Sequence, residues 1–371
     1  MRALGIILAG GKNERLKDLT VNTALAAMPI AGSYRAIDFA LSNMANSGIN
    51  KVAVVTQYNS RPLVEHLSSS KWWDFGRKHG GLFVFTPYLT HDNSLWYRGT
   101  ADAINQNMEY LKTSHEPYAI ISSGDAVCKI DFNKVLAYHV EKRADITIVC
   151  KHVEGEDLHR YGVVQVDDDN RINEFEEKPI IPMGNLVSTG MYIIRRRLLI
   201  EMLEAIAKEE RFDIVSDIII RYRKQKKIYA YVHDEYWKSV ASLPSYYNAN
   251  LDFLDKDVRN YFFRQDPTIM SKVEDEPPAK FNVGSLVRNS LSSSGCIING
   301  EVHNSMLFRK VFIGRNSIVK NSIILNGTYI GDNCYIENCI VDSKCNIPNG
   351  SVHKAEVGEI EIIVNREPFY L

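Results

Sequence analysis

From Ile313 to Ile347 an aliphatic residue returns about every six positions, at Ile313, Val319, Ile324, Ile330, Ile336, Val341 and Ile347. Gly, Asn and Ser fill the steps between them, as in IGRNSI, IGDNCYI and CNIPNG. A helix repeats every 3.6 residues and a strand every two, so neither runs through such a stretch. A six-residue step with turn formers at its corners predicts a parallel β-helix, each coil burying its aliphatic residue against the next. The repeat is a packing device first. Its functional alternative is acyl transfer, which needs a base; His303 and His353 are available but lie in no distinctive motif. Cys334, Cys339 and Cys345 fall in the same region, and their spacing fits stacked small core residues better than a metal site.

The part before the repeat has another texture. The run Leu4, Gly5, Ile6, Ile7, Leu8 reads as a buried parallel strand. Ala9, Gly10 and Gly11 follow, and then LKDL, which can start a helix. Strand, Gly-rich turn and helix N-terminus gather backbone N–H groups where a phosphate could bind. The same pattern also serves as a plain tight turn. Further strands are expected at 52–56, 118–122, 146–149, 161–166, 191–194 and 228–232. Helices are expected at 37–46, 61–67, 101–110, 132–142 and 198–207. Such alternation predicts βαβ units and a mostly parallel sheet. Near Glu274-Asp275-Glu276-Pro277-Pro278 the pattern breaks. The expected organisation is a first domain over 1–254, a linker over 255–282 and a β-helix domain over 283–371.

Composition narrows the function. The chain has 371 residues and a formal net charge of −1, so no basic excess invites nucleic acid. No apolar run approaches the ~20 residues of a membrane span, and no charged, apolar leader opens the chain. Six cysteines without a CxxC pair make neither a disulfide nor a zinc framework. The expectation is a soluble, reduced, cytoplasmic protein.

Several stretches then occur in a fixed order: LAGG at the start, YRAIDFALSNMANSGI at 34–49, WYRGTADAINQN at 96–107 and SSGDAVCKID at 122–131. EFEEKP at 174–179, STGMYI at 188–193 and YWKSVASLPSYYNANLDFL at 236–254 follow, and then the hexapeptide repeat. Over nearly its whole length the chain resembles the bacterial ADP-glucose pyrophosphorylases (glucose-1-phosphate adenylyltransferases). The resemblance implies an α/β, Rossmann-like nucleotidyltransferase domain followed by a left-handed parallel β-helix. It also implies a tetramer and a place in bacterial glycogen synthesis. In that family a sugar 1-phosphate attacks the α-phosphorus of ATP and releases pyrophosphate, so catalysis is alignment and charge neutralisation.

The resemblance carries roles onto matching positions. Leu8, Ala9, Gly10 and Gly11, with Trp96, Tyr97, Gly99 and Thr100, match the nucleotide-binding stretches. Arg15 matches the arginine of the phosphate loop, and Asp125 the first metal aspartate. Lys178 matches the sugar-phosphate lysine, with Glu177 for sugar hydroxyls and Gly162, Ser188 and Gly190 lining the sugar pocket.

Other positions depart from the family. Its loop GGxGxRL becomes Gly10-Gly11-Lys12-Asn13-Glu14-Arg15-Leu16. Asn13 replaces a glycine, and Glu14 brings a carboxylate to a place for anions. RAKPA becomes a stretch with Thr23 and Leu25, losing two cations. WRDVG becomes Trp237-Lys238-Ser239-Val240-Ala241, so Ser239 stands where the second metal aspartate belongs. DFGKD becomes Asp213-Ile214-Val215-Ser216-Asp217, losing another lysine. Mg²⁺, used by the family, is therefore expected to bind weakly or not at all. The expected role is an assisting, regulatory subunit that is inactive alone and joins a catalytic subunit in a heterotetramer. Glucose 1-phosphate is a possible ligand. The alternative is an active enzyme with rearranged metal and phosphate ligands, drawing on Asp217 or Asp234 and on Lys12 or Lys17.

Overall fold

Leu4, Ile6 and Ile7 are fully buried, as a strand covered on both faces requires, and they form β1 (Ala3–Leu8). The computed structural model describes residues 2–76, 80–88, 96–154 and 158–364. In them the chain forms two compact units. The first comprises Met1–Gly11, Phe39–Ser60 and Leu67–Trp237; the second comprises Lys12–Asp38, Arg61–His66 and Lys238–Leu371. These units interleave in sequence and cut across the expected divisions at 254 and 283.

A nine-stranded sheet forms the first unit. After β1 come β2 (Lys51–Val55), β3 (Gly81–Phe85), β4 (Tyr118–Ser123), β5 (Ile146–His152) and β6 (Gly162–Val166). Then follow β7 (Ile172–Glu177), β8 (Leu186–Arg195) and β9 (Ile228–Val232). Strands β3, β2, β1 and β4 lie side by side and parallel, joined by helical crossovers. Strand β8 runs antiparallel to β4, β5 and β6, and β6 and β7 form an antiparallel hairpin. The sheet is mixed, with its parallel half around β1.

Helices follow the apolar pattern with one correction. The helix expected at 101–110 is two, Thr100–Asn105 and Met108–Lys112. Between them the Asn107 amide donates to the Ala103 carbonyl at 2.8 Å, the kind of side-chain bond that competes with helix continuation. The stretch LKDL yields only a 3₁₀ turn, Lys17–Thr20.

In the helix Phe132–Glu141, His139 is buried against Tyr118 and its Nδ1 lies 2.8 Å from the Thr147 hydroxyl. Burial, aided by the Arg195 charge, pushes its pKa down to about 4. The unfolded chain then binds the extra proton between about pH 6.5 and 4, so stability falls as pH falls through that window, by up to about 3 kcal/mol. His139→Gln is expected to flatten this loss between pH 6.5 and 5. Urea unfolding at stepped pH measures it, and an unchanged slope would contradict the assignment.

In the second unit the expected β-helix is present. Each coil contributes one short strand to each of three parallel five-stranded sheets, the arrangement of a left-handed parallel β-helix. All seven periodic aliphatic residues lie in its core. Asn289, Asn304, Asn321 and Asn338 take the left-handed corner conformation, and their amides bond in a ladder at 2.8, 2.8 and 3.2 Å. Cys334, Cys339 and Cys345 are buried core residues, each with its Sγ directed at a backbone carbonyl. Among the described residues no group of His, Cys, Asp and Glu could hold a metal ion. The last strand, Glu361–Ile363, pairs with Cys339–Val341.

The stretch expected as a linker is structured. Its helix Lys256–Phe263 buries Phe262, and Lys280–Phe281 is the first rung of one β-helix sheet. Between them Glu274 and Glu276 pair with Arg309 at 3.1 Å and Lys310 at 2.7 Å. The hairpin Pro29–Ile30/Tyr34–Arg35 belongs to this unit too. Tyr246 donates to the Pro29 carbonyl at 2.7 Å, and Arg309 to that of Ser33 at 3.0 Å.

Candidate functional site

In the first unit the C-terminal ends of the parallel strands set the site, as in other open α/β sheets. Leu8 pairs with Ser123 across β1 and β4, and the Leu8 carbonyl accepts the Gly124 N–H at 3.0 Å. Ala9 donates to the Val55 carbonyl at 2.8 Å and accepts from the Thr56 hydroxyl at 3.1 Å. The turn through Gly10 and Gly11 thus leaves the sheet between two neighbouring strands. A side chain at Gly11 would meet open space.

Gln57, just past β2, was not legible as a site residue. Its amide and the Tyr97 backbone bond each other reciprocally at 3.0 and 3.2 Å, fixing the stretch expected beside a nucleotide. Trp96 is 60% exposed and stacks on Tyr58 with ring centroids 5.8 Å apart. Thr100 bonds instead to Asp213 at 3.0 Å and accepts the Ile214 N–H at 2.9 Å. The Gly99 carbonyl accepts the Ala103 N–H at 3.0 Å, so both residues anchor the helix that follows.

Asp125 sits just beyond β4, with its carboxylate bonded by the Ser123 hydroxyl. Burial pushes its pKa up, opposed by that bond. Beside Ser123 lies Gly190, in a bulge where the β8 register shifts between Ser188 and Met191. Its φ of +75° is a conformation other residues rarely take. Ser188 is buried and bonds Tyr192, whose hydroxyl burial pushes far above the ordinary phenol range.

Gly162 opens β6 opposite Glu177 at the end of β7, and Val163 pairs with Val187. That register brings Gly162, Glu177, Lys178, Ser188 and Gly190 to one edge of the sheet. Lys178 adopts φ +50°, donates its backbone N–H to the Tyr161 carbonyl at 3.0 Å, and holds Glu177 by an ion pair of 3.1 Å. The Trp237 ring meets Tyr161 edge-on at 5.6 Å, and its buried indole N–H has no partner among the described residues. A buried donor without an acceptor beside Tyr161 and Lys178 is what a polar ligand would satisfy.

The 211–217 segment supplies no spare carboxylate. Asp217 accepts the backbone N–H groups of Phe212 and Asp213 at 3.0 and 2.9 Å and pairs with Arg211 at 3.2 Å. Burial raises its pKa, but these bonds outweigh it and the net shift is downward. Asp213 is similarly engaged with Val215 and Ser216.

The second unit holds the altered positions Asn13, Glu14, Thr23, Leu25 and Ser239, whereas Ser216 lies in the first. Asn13 donates to the Ala241 carbonyl at 3.0 Å and accepts the N–H groups of Arg15 and Leu16 at 2.8 and 3.3 Å. Lys12 pairs with Glu14 at 2.7 Å, and its hydrogen bond and charge hold the Glu14 carboxyl below the usual range. Arg15 is exposed, whereas Leu25 is half-buried. The Ser239 hydroxyl accepts the Ala241 N–H at 3.3 Å, and its carbonyl is bonded by Ser245. Elsewhere in this unit Arg35, Arg309, Lys310 and Lys344 line a pocket with Glu274. No local sequence signal joins these residues, which are spread over some three hundred positions.

A sheet of this topology with its Gly-rich turn, followed by a β-helix, defines a nucleotidyltransferase with a hexapeptide domain. Residues 4–256 match the nucleotidyl transferase family, and residues 277–359 match the GlmU-like C-terminal hexapeptide family. The chain is 41% identical over 319 residues to a glucose-1-phosphate adenylyltransferase of Clostridium acetobutylicum, covering 85% of this chain and 84% of that one. It is 38% identical over 369 residues to one of Bacillus anthracis, covering 99% and 98%. One of Mycoplasma mobile is 39% identical over 320 residues, covering 85% and 84%. The chain belongs to the glucose-1-phosphate adenylyltransferase family.

Nucleotidyl transfer in this family is generally Mg²⁺-dependent. In the first unit Asp125 offers one carboxylate, bonded by the Ser123 hydroxyl; in the second, Ser239 offers a neutral hydroxyl bonded within its own turn. Mg²⁺ is a hard cation that favours carboxylates.

Proposed function

We propose that this chain is a regulatory subunit of ADP-glucose pyrophosphorylase, of the GlgD type, with little or no turnover of its own. It assembles with a catalytic subunit and raises that subunit's activity or alters its effector response. The observation that carries this reading is Ser239. A neutral hydroxyl, bonded to the Ala241 N–H, occupies the position to which the resemblance gives a second metal carboxylate. Asp217, one of the two carboxylates that could replace it, is fully engaged with Arg211, Phe212 and Asp213. An assisting subunit acts by binding one conformer of its partner more tightly than another. The cationic pocket of Arg35, Arg309 and Lys344 has the charge to take an anionic effector.

The sugar-phosphate edge keeps its parts, and the unpartnered Trp237 indole favours retained binding of glucose 1-phosphate. Ligand binding then raises the unfolding temperature according to RT ln(1 + [L]/Kd). The decisive assay is ADP-glucose formation with Mg²⁺, first by this chain alone and then with a catalytic subunit added. No turnover alone and an increase in the mixture are expected, with thermal stabilisation by glucose 1-phosphate that Lys178→Ala removes. Turnover by the isolated chain at a typical enzyme's ~1–10³ s⁻¹, or two subunits that never co-elute, would end this reading.

A further inference from the structure

A phosphate loop works by presenting backbone N–H groups that no protein atom has taken. In this chain two of them are taken, those of Arg15 and Leu16. The Asn13 side-chain oxygen accepts the N–H of Arg15 at 2.8 Å and that of Leu16 at 3.3 Å. Its amide nitrogen is itself fixed by donation to the Ala241 carbonyl at 3.0 Å, and its own carbonyl accepts the Thr20 hydroxyl at 2.7 Å. The side chain is thus held at both ends. The loop's lysine is also committed, since Lys12 pairs with Glu14 at 2.7 Å. An incoming polyphosphate that used the Arg15 and Leu16 N–H groups would have to displace the Asn13 oxygen from both.

We propose that Asn13 is a built-in ligand of this loop, occupying two of its backbone donors, the Arg15 and Leu16 N–H groups, and closing the chain to the polyphosphate of a nucleoside triphosphate. The inference rests on the reading of the site as an altered nucleotidyltransferase pocket and adds that ATP is excluded rather than bound unproductively. Glycine at this position, as in the family loop, has no side chain to supply the cap. Asn13 is therefore a specificity-determining residue whose effect is exclusion.

The test is calorimetric titration of Mg-ATP into the full-length chain, its Asn13→Gly variant and its Asn13→Ala variant. Both variants remove the amide, and Asn13→Ala does so with less added backbone freedom. The unchanged chain is expected to show no saturable binding up to about 1 mM ATP. Both variants, verified as folded by their unfolding transitions, are expected to bind at least tenfold more tightly. Equal affinity in all three proteins, or folded variants that still fail to bind, would overturn the proposal. ATP binding by the unchanged chain without ADP-glucose formation would overturn this inference and leave the regulatory reading intact. ADP-glucose formation by the unchanged chain would overturn both.

Discussion

A chain carrying Asn13→Gly, Leu25→Lys and Ser239→Asp together is expected to form ADP-glucose from Mg-ATP and glucose 1-phosphate where its parent forms none. Each change returns one physical element. Glycine frees the Arg15 and Leu16 N–H groups, lysine adds a cation for the triphosphate, and aspartate adds a carboxylate for Mg²⁺. A unit charge pair near 4 Å is worth about 4 kcal/mol at an effective dielectric of 20, or roughly a thousandfold in rate or affinity. Leu25 is half-buried, so a lysine there can lay its stem along apolar surface and keep its ammonium in water. Ser239 already bonds its own turn through Ala241 N–H, a bond an aspartate oxygen can replace. A pyrophosphate-release assay should therefore read at least about a thousandfold above the parent's background. A triple variant that binds ATP yet stays silent would place the deficit elsewhere, with Thr23 and Ser216 the next positions to restore.

Gly314→Ala is expected to be among the most destabilising single-methyl additions in the β-helix. A Cβ at this position would lie 2.3 Å from the Gly331 carbonyl oxygen and 2.4 Å from its carbon, on the next coil. Both are backbone atoms held in the inter-coil ladder. Gly314 donates to Ile330 at 2.8 Å and Gly331 to Ile347 at 2.9 Å, so neither coil can move without breaking its neighbour's bonds. The cost should be about 3 kcal/mol or more, read as a lowered urea midpoint for the transition that reports the β-helix. Gly76→Ala is the control, because a Cβ there meets nothing within 4 Å, and it should change stability by no more than ~0.5 kcal/mol. Equal losses in the two variants would mean that the coil backbones yield more readily than this geometry allows.

The β-helix was legible because its information is periodic. Ile313 through Ile347 each face the core for the reason that their spacing predicts. Strand β1 was legible because a strand buried on both faces must be continuously apolar. The residues expected to line a sugar-phosphate pocket were named one at a time, but their convergence depends on strand register. Only the pairing of Gly162 with Glu177 and of Val163 with Val187 brings Lys178 and Ser188 to one edge. Gln57 carried no signal, since a glutamine after a strand has commonplace uses, and Tyr192 and Trp237, though inside quoted motifs, were given no role of their own. The replacement of glycine by Asn13 was plain, whereas its cap on Arg15 and Leu16 was not, because side-chain hydrogen bonding is decided by rotamer and loop shape. Interleaving of the two units was likewise beyond a reading that divides the chain at a proline-rich stretch.

That interleaving sets a timetable for synthesis. Ser33 meets Arg309, 276 positions further along the chain, and Asn13 meets Ala241, 228 further along. At roughly 5–20 residues per second a ribosome needs on the order of 15–55 s to make the first of these intervals. For that time the Lys12–Asp38 segment has been translated while the coils it belongs with have not. The nascent chain must keep its earliest residues uncommitted until its last third emerges, and chaperone demand should peak in that interval.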